Sequence, residues 1–176
     1  MVNQKAGEAL VEDQKARSQI SARAEDCLNS VVQMADENAS PGAAPGAGEF
    51  VRAFYAALPA ETLAAIGREA LFAPAMEQWR FMQERGAGTI KIQVYNPTRE
   101  TDGWQSPHTV VAMLNDDMPF IIDSVTAYLA GQQLAIHRLI HPVLRIERAA
   151  DGTLTDLKDA AEDGGRALES CVFLEI

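Results

Sequence analysis

The apolar residues Ile20, Ala24, Cys27, Leu28, Val31 and Val32 recur at three- and four-residue spacing, the stripe of an amphipathic helix predicted over residues 3–37. Its first half, with Gln4, Lys5, Glu8, Glu12 and Asp13, is mostly polar. The stretch ASPGAAPGAGE cannot hold a helix and reads as a linker over 41–49. Helical spacing returns at Phe50. FVRAFYAAL stops at Pro59, and AETLAAIGREALFA runs to a second interruption at Pro74. AMEQWRFMQERGAG then ends on Gly86 as a C-cap glycine. Met76, Trp79, Phe81 and Met82 are expected to pack on a core rather than hold a cofactor.

The period then changes to two. In TIKIQVYNP, Ile90, Ile92 and Val94 alternate with Lys91, Gln93 and Tyr95, a half-buried strand ended by Asn96-Pro97. A polar loop with Gly103 and Trp104 leads to HTVVAMLN, a nearly continuous apolar strand. PFIIDSVTAYLAGQQ reads as a helix, and LAIHRLIHPVLRIER as one long strand in which Pro142 marks an edge or a bulge. Asp151-Gly152 is a turn signal, DLKDAAEDGGRALE an acidic, glycine-broken excursion, and ESCVFLEI a last strand.

This order, β-α-β-β after an extra strand, predicts an α+β fold. N-terminal helices precede an incomplete ferredoxin-like unit with an antiparallel sheet, lacking its second helix and last strand. The predicted division is an N-terminal helix over 1–40, the linker over 41–49, a helical segment over 50–86 and an α+β domain over 87–176. Stopping inside a strand signal is expected of a fragment of a longer protein.

Composition narrows the function classes. Of 176 residues, 47% are apolar and 23% charged, as in ordinary globular proteins. The net charge is −10, and the basic residues Arg80, Arg85, Lys91, Arg138, Arg145 and Arg148 stand singly, so a nucleic acid partner is not expected. Cys27 and Cys171 have no metal-type spacing and read as small buried residues in a reducing compartment. No apolar run approaches the ~20 residues of a membrane span. The N-terminus lacks the apolar segment of a secretory signal, so a cytoplasmic protein without membrane contact is expected.

The candidate chemistry sits in NDDMPFIIDSV, residues 115–125. If a helix starts at Met118, Asp117 becomes its N-cap and Pro119 falls in the first turn, where a missing N–H costs nothing. Ile121, Ile122, Val125, Tyr128 and Leu129 then share one face. Asp123 points to solvent, roughly 240° from Asp117 at about 100° per residue. Such carboxylates diverge, so neither a metal site nor an acid–base pair is expected. His137 and His141 share a strand face but lie ~13 Å apart along it. Two ligands of one zinc must each sit within ~2 Å of it. His108 would join either only if the fold brought it there. No P-loop, GxGxxG or GxSxG pattern occurs.

A strand, then Asp-Xaa-Pro, then an amphipathic helix and a strand entered near Leu-Ala-Ile resembles the opening of an ACT domain. The longer run from Asn96 to Gly152 is similar to the N-terminal region of the large bacterial NAD-specific glutamate dehydrogenases. It carries Gly103-Trp104, HTVV, NDDMPF and the two-histidine strand IHRLIHPV in the family's order. The resemblance covers about residues 76–176, more loosely 50–75, and nothing in the first forty.

The resemblance implies a parent oxidoreductase that converts L-glutamate and NAD to 2-oxoglutarate, ammonia and NADH. Its catalytic and NAD-binding residues would lie outside this segment, which itself would hold no cofactor, no metal and no catalytic residue. The segment would regulate or assemble the parent through its other domains and subunits, as part of a homo-oligomer. ACT-type modules bind amino-acid effectors between first strand and first helix, which here implies Asn115, Asp116, Asp117, Met118 and Phe120. Phe120 replaces the family's glycine, and its ring would either fill the space an effector needs or form one wall of a reshaped pocket. A free-standing dimerisation module without ligand is the alternative, and a small metal-dependent hydrolase using Asp117 and Asp123 is the third reading.

Overall fold

The computed structural model describes residues 2–38, 44–158 and 167–176, with side chains from residue 12 onward. Part of the Pro/Gly/Ala stretch and the middle of the acidic excursion therefore lie outside the described residues. Four helices come first: α1 (Val2–Glu37), α2 (Ala47–Tyr55), α3 (Ala60–Ile66) and α4 (Arg68–Met82). The sheet strands are β1 (Lys91–Tyr95), β2 (Val110–Asp116), β3 (Arg138–Ile140), β4 (Val143–Arg148), β5 (Leu154–Lys158) and β6 (Ala167–Glu175), with α5 (Ile121–Gly131) between β2 and β3.

The sheet order is β1-β2-β6-β4-β5, with β3 also on β6, and every pairing is antiparallel. Both β2 and β4 run opposite to β6, so they are parallel to each other with β6 between them. That is the split βαβ arrangement, and the chain has the predicted α+β fold with an antiparallel sheet. The edge beside β2, which the last strand of a complete unit would take, is occupied by β1.

The two sheet faces are covered differently. On one face α1–α4 close over Ala112, Leu114, Cys171 and Phe173, forming a single core with Phe50, Phe54, Leu71 and Trp79. Its aromatic centre is continuous: Phe54 meets Phe50 at 5.3 Å and Phe173 at 5.7 Å, and Phe50 meets Trp79 at 5.4 Å. The Tyr55 hydroxyl donates to the Leu71 carbonyl at 2.6 Å, the partner a buried phenol requires. On the other face α5 alone covers a cluster centred on Met113, Leu129, Val172 and Leu174.

Several expectations need correction. Pro74 does not interrupt the helix; it is buried inside α4, and the break falls at Gly67, whose φ is 82°. Pro74 has no N–H for the Ala70 carbonyl, but Leu71, Ala75, Met76 and Trp79 around it are all buried and hold the helix through it. Gly86 is not a C-cap, because α4 ends at Met82. The following residues instead pair with the β4–β5 turn: Arg85 N–H donates to the Gly152 carbonyl at 3.0 Å, and Leu154 N–H to that of Gln83 at 2.8 Å. Gly152 is required there, since its φ is 91° and a Cβ would lie 2.5 Å from the Arg85 carbonyl oxygen. The long strand is broken at His141-Pro142 into β3 and β4, and the Pro142 carbonyl accepts from Cys171 N–H at 3.0 Å.

β1 reverses its predicted faces. Ile90, Ile92 and Val94 are 54%, 55% and 62% exposed, while Lys91 and Tyr95 are half-buried. Ile92 and Val94 pair with Met113 and Val111, on the face that α5 covers only in part. The alternation is present, but α5 does not reach far enough to bury it.

Candidate functional site

The aspartates lie at one end of the sheet. The helix α5 starts at Ile121, and its cap is Phe120, not Asp117. Phe120 holds a left-handed φ of 68°, its carbonyl accepts from Ser124 N–H at 2.9 Å, and its side chain is 74% exposed. Asp117 is bound to β6 instead: its N–H donates to the Leu168 carbonyl at 2.9 Å and its carboxylate accepts from the Ser170 hydroxyl at 2.6 Å. Asp116 accepts from Arg85. Asp123 is exposed, as expected, but so is Tyr128, which leaves the predicted apolar face. Asn115 pairs with Ser170 in the sheet, and Met118 is half exposed.

Behind Asp116 lies a buried ion cluster that the sequence reading missed. Arg85 donates to Glu169 at 2.8 Å, and Arg148 grips both oxygens of Glu169 at 2.8 and 2.9 Å. Arg148 also reaches the carbonyls of Met82 and Gly152 at 3.1 and 3.0 Å. Burial alone would raise the Glu169 pKa, but the bonds from Arg148 and Arg85 hold it below the ordinary glutamate range. The cluster ties the end of α4, the β4–β5 turn, β2 and β6 together. Its one sequence signal is a carboxylate, Glu169, next to the apolar run 171–174 of the last strand.

The opposite end of the sheet, ~20 Å away along the seven residues of β2, holds a different constellation. His108, just before β2, stacks on His137, just before β3, with ring centroids 3.7 Å apart and planes 20° apart. The fold thus makes the His108–His137 meeting that sequence spacing could not foresee, while His141 lies elsewhere, its pKa lowered by burial. The two imidazoles border a cavity of about 640 Å³ between α3, α4, the β1–β2 loop and β3. Trp104 lines it, and its indole nitrogen is buried without an acceptor among the described residues. Glu175 accepts from Ser106 at 3.1 Å and faces Arg138 at 3.3 Å.

Among the described residues, no three His, Cys, Asp or Glu side chains converge as metal ligands, and no helix is long and apolar enough to cross a membrane. Cys27 and Cys171 are both free thiols; burial pushes Cys171 up to about 12.

Comparison with known proteins reaches the same region of sequence. A family model, the glutamate dehydrogenase ACT1 domain, matches residues 50–176. The NAD-specific glutamate dehydrogenase of Halomonas elongata is 35% identical over 128 residues, 72% of this chain and 8% of that protein. The enzyme of the same name from Pseudomonas aeruginosa is 32% identical over the same shares. The chain therefore spans less than a tenth of the length of these curated relatives. No solved structure matches it. Because the family match extends over well more than half of the residues, the chain belongs to the glutamate dehydrogenase ACT1 domain family.

Proposed function

We propose that this chain is a non-catalytic N-terminal assembly and regulatory segment of an NAD-dependent glutamate dehydrogenase. The parent would oxidise L-glutamate with NAD to 2-oxoglutarate and ammonia, on residues outside this chain. The observation that carries the reading is the apolar stripe Ile90, Ile92 and Val94, each more than half exposed on a face that α5 leaves open. Single exposed apolar residues are unremarkable, but a row of β-branched side chains on an edge strand is a contact surface. The occupant we assign is another part of the same polypeptide, because more than nine-tenths of each relative lies outside the matched region.

The loop Asn115, Asp116, Asp117, Met118 and Phe120 belongs to this surface rather than to an effector pocket in our reading. The two carboxylates that an effector's amine would meet are already engaged, Asp116 by Arg85 and Asp117 by Ser170. Met118 and Phe120 instead stand outward at the β1 end that carries Ile90. Docking here would bias the parent only through different contacts in its different arrangements, which is what regulation at a distance requires.

The test is Ile92→Asp with Val94→Asp, made in the 176-residue chain and in the full-length enzyme. The isolated chain should keep its melting temperature, while the full-length enzyme should lose its native assembly by mass measurement and its glutamate oxidation with it. A full-length variant that assembles and turns over normally would sink the reading. Self-association of the isolated chain, abolished by the same pair, would replace it with the dimerisation module.

A further inference from the structure

We propose that the cavity bordered by the His108–His137 pair is a binding site for a small organic monocarboxylate with an apolar body. It is separate from the docking face, since it lies on the α3–α4 side of the sheet and the stripe on the α5 side, and it does not rest on that reading. Its volume of about 640 Å³ lies within the usual size of small-molecule sites.

The cavity offers donors and few free side-chain acceptors. The Trp104 indole N–H is buried with no acceptor among the described residues, and leaving such a donor unmatched is costly. Neither imidazole makes a side-chain hydrogen bond among the described residues. The carboxylates present are already engaged, Glu175 by Ser106 and Arg138, and Glu69 by Arg68 at 2.8 Å. An acceptor-rich anion is the complement of such a wall. Ile66, Pro74 and the Trp104 ring supply the apolar surface for its carbon skeleton.

The charged groups lining the cavity are Glu69 from α4, Arg99 from the β1–β2 loop, Arg138 from β3 and Glu175 from β6. Arg68 and Arg138 already hold the two carboxylates. Arg99, which makes no ion pair among the described residues, is left as the cation for one carboxylate.

The experiment titrates the 176-residue chain with butyrate while following the ring C–H resonances of both histidines. Butanamide serves as the neutral isostere and chloride as the ionic-strength control. Butyrate should shift the resonances of both histidines saturably. Trp104→Phe, which keeps the ring and removes the N–H, should weaken binding roughly tenfold, the effect of one hydrogen bond to a charged acceptor. Arg99→Gln should weaken it up to about fivefold, as for an exposed ion pair. The melting temperature of each variant confirms that it is folded. Equal shifts from butanamide or chloride, no saturable shift, or binding unchanged in folded Trp104→Phe would overturn the proposal.

Discussion

The two faces of the sheet carry similar apolar residues to opposite ends. Under α1–α4, Leu114, Cys171 and Phe173 are completely buried in one core that joins the helices to the strands. Under α5, the neighbouring positions Met113, Val172 and Leu174 are buried, but the β1 residues paired alongside, Ile92 and Val94, face out. The strand pattern is the same on both faces; only the helical cover differs. One face supplies the chain's own stability. The open part of the other is the surface we propose for contact beyond this chain.

The largest effect is expected from cutting the covered face. Phe173→Ala removes a fully buried ring from between β6 and Phe54, and should cost about 3–5 kcal/mol by denaturant unfolding. A cost under about 1 kcal/mol would mean that α1–α4 do not depend on the sheet for their core.

Next comes the ion cluster that ties α4 to the sheet. Glu169→Gln leaves Arg85 and Arg148 facing a neutral amide and should cost about 3 kcal/mol. The pH dependence has a definite sign. The folded-state pKa of Glu169 is depressed, so its contribution is complete above the unfolded value of about 4.3 and is lost as pH falls through the lower folded value. The native chain should therefore lose stability in that acid window, and the Gln variant should lack this part of the slope. Parallel acid profiles for both proteins would refute the role assigned to Glu169.

What the sequence disclosed follows the same division. The continuous apolar runs of β2 and β6 and the helical stripe in the second half of α1 were legible because burial there follows the local pattern. The antiparallel α+β plan followed from their order. The face of β1 was not legible, since alternation says which residues go together and not whether anything covers them. Pro74 and Gly86 misled because the core around Trp79 and the pairing of Arg85 with Gly152 override local breaking and capping preferences. Asp117 was misassigned for a similar reason. Asp117 fits a cap by spacing, yet Ser170, more than fifty residues on, takes it into the sheet. The meeting of His108 with His137 depends on β2 and β3 both pairing with the same end of β6, which no local pattern encodes.

The smallest effect on stability, and the sharpest on the comparison, is expected from Phe120→Gly. A non-glycine residue at a φ of 68° carries roughly 1–2 kcal/mol of backbone strain. Glycine relieves that strain but loses about 0.5–1 kcal/mol through the greater freedom of the unfolded chain. The ring is 74% exposed, so its removal forfeits little burial within this chain. The variant should thus be neutral or more stable by up to about 1 kcal/mol in the isolated chain. On the proposed docking reading, a phenyl group kept at an unfavourable φ and largely exposed is accounted for by a contact outside the chain. The same substitution in the full-length enzyme should therefore weaken assembly while leaving this segment folded. A loss of more than about 1 kcal/mol in the isolated chain would show instead that the ring stabilises its own fold, and would remove Phe120 from the docking surface.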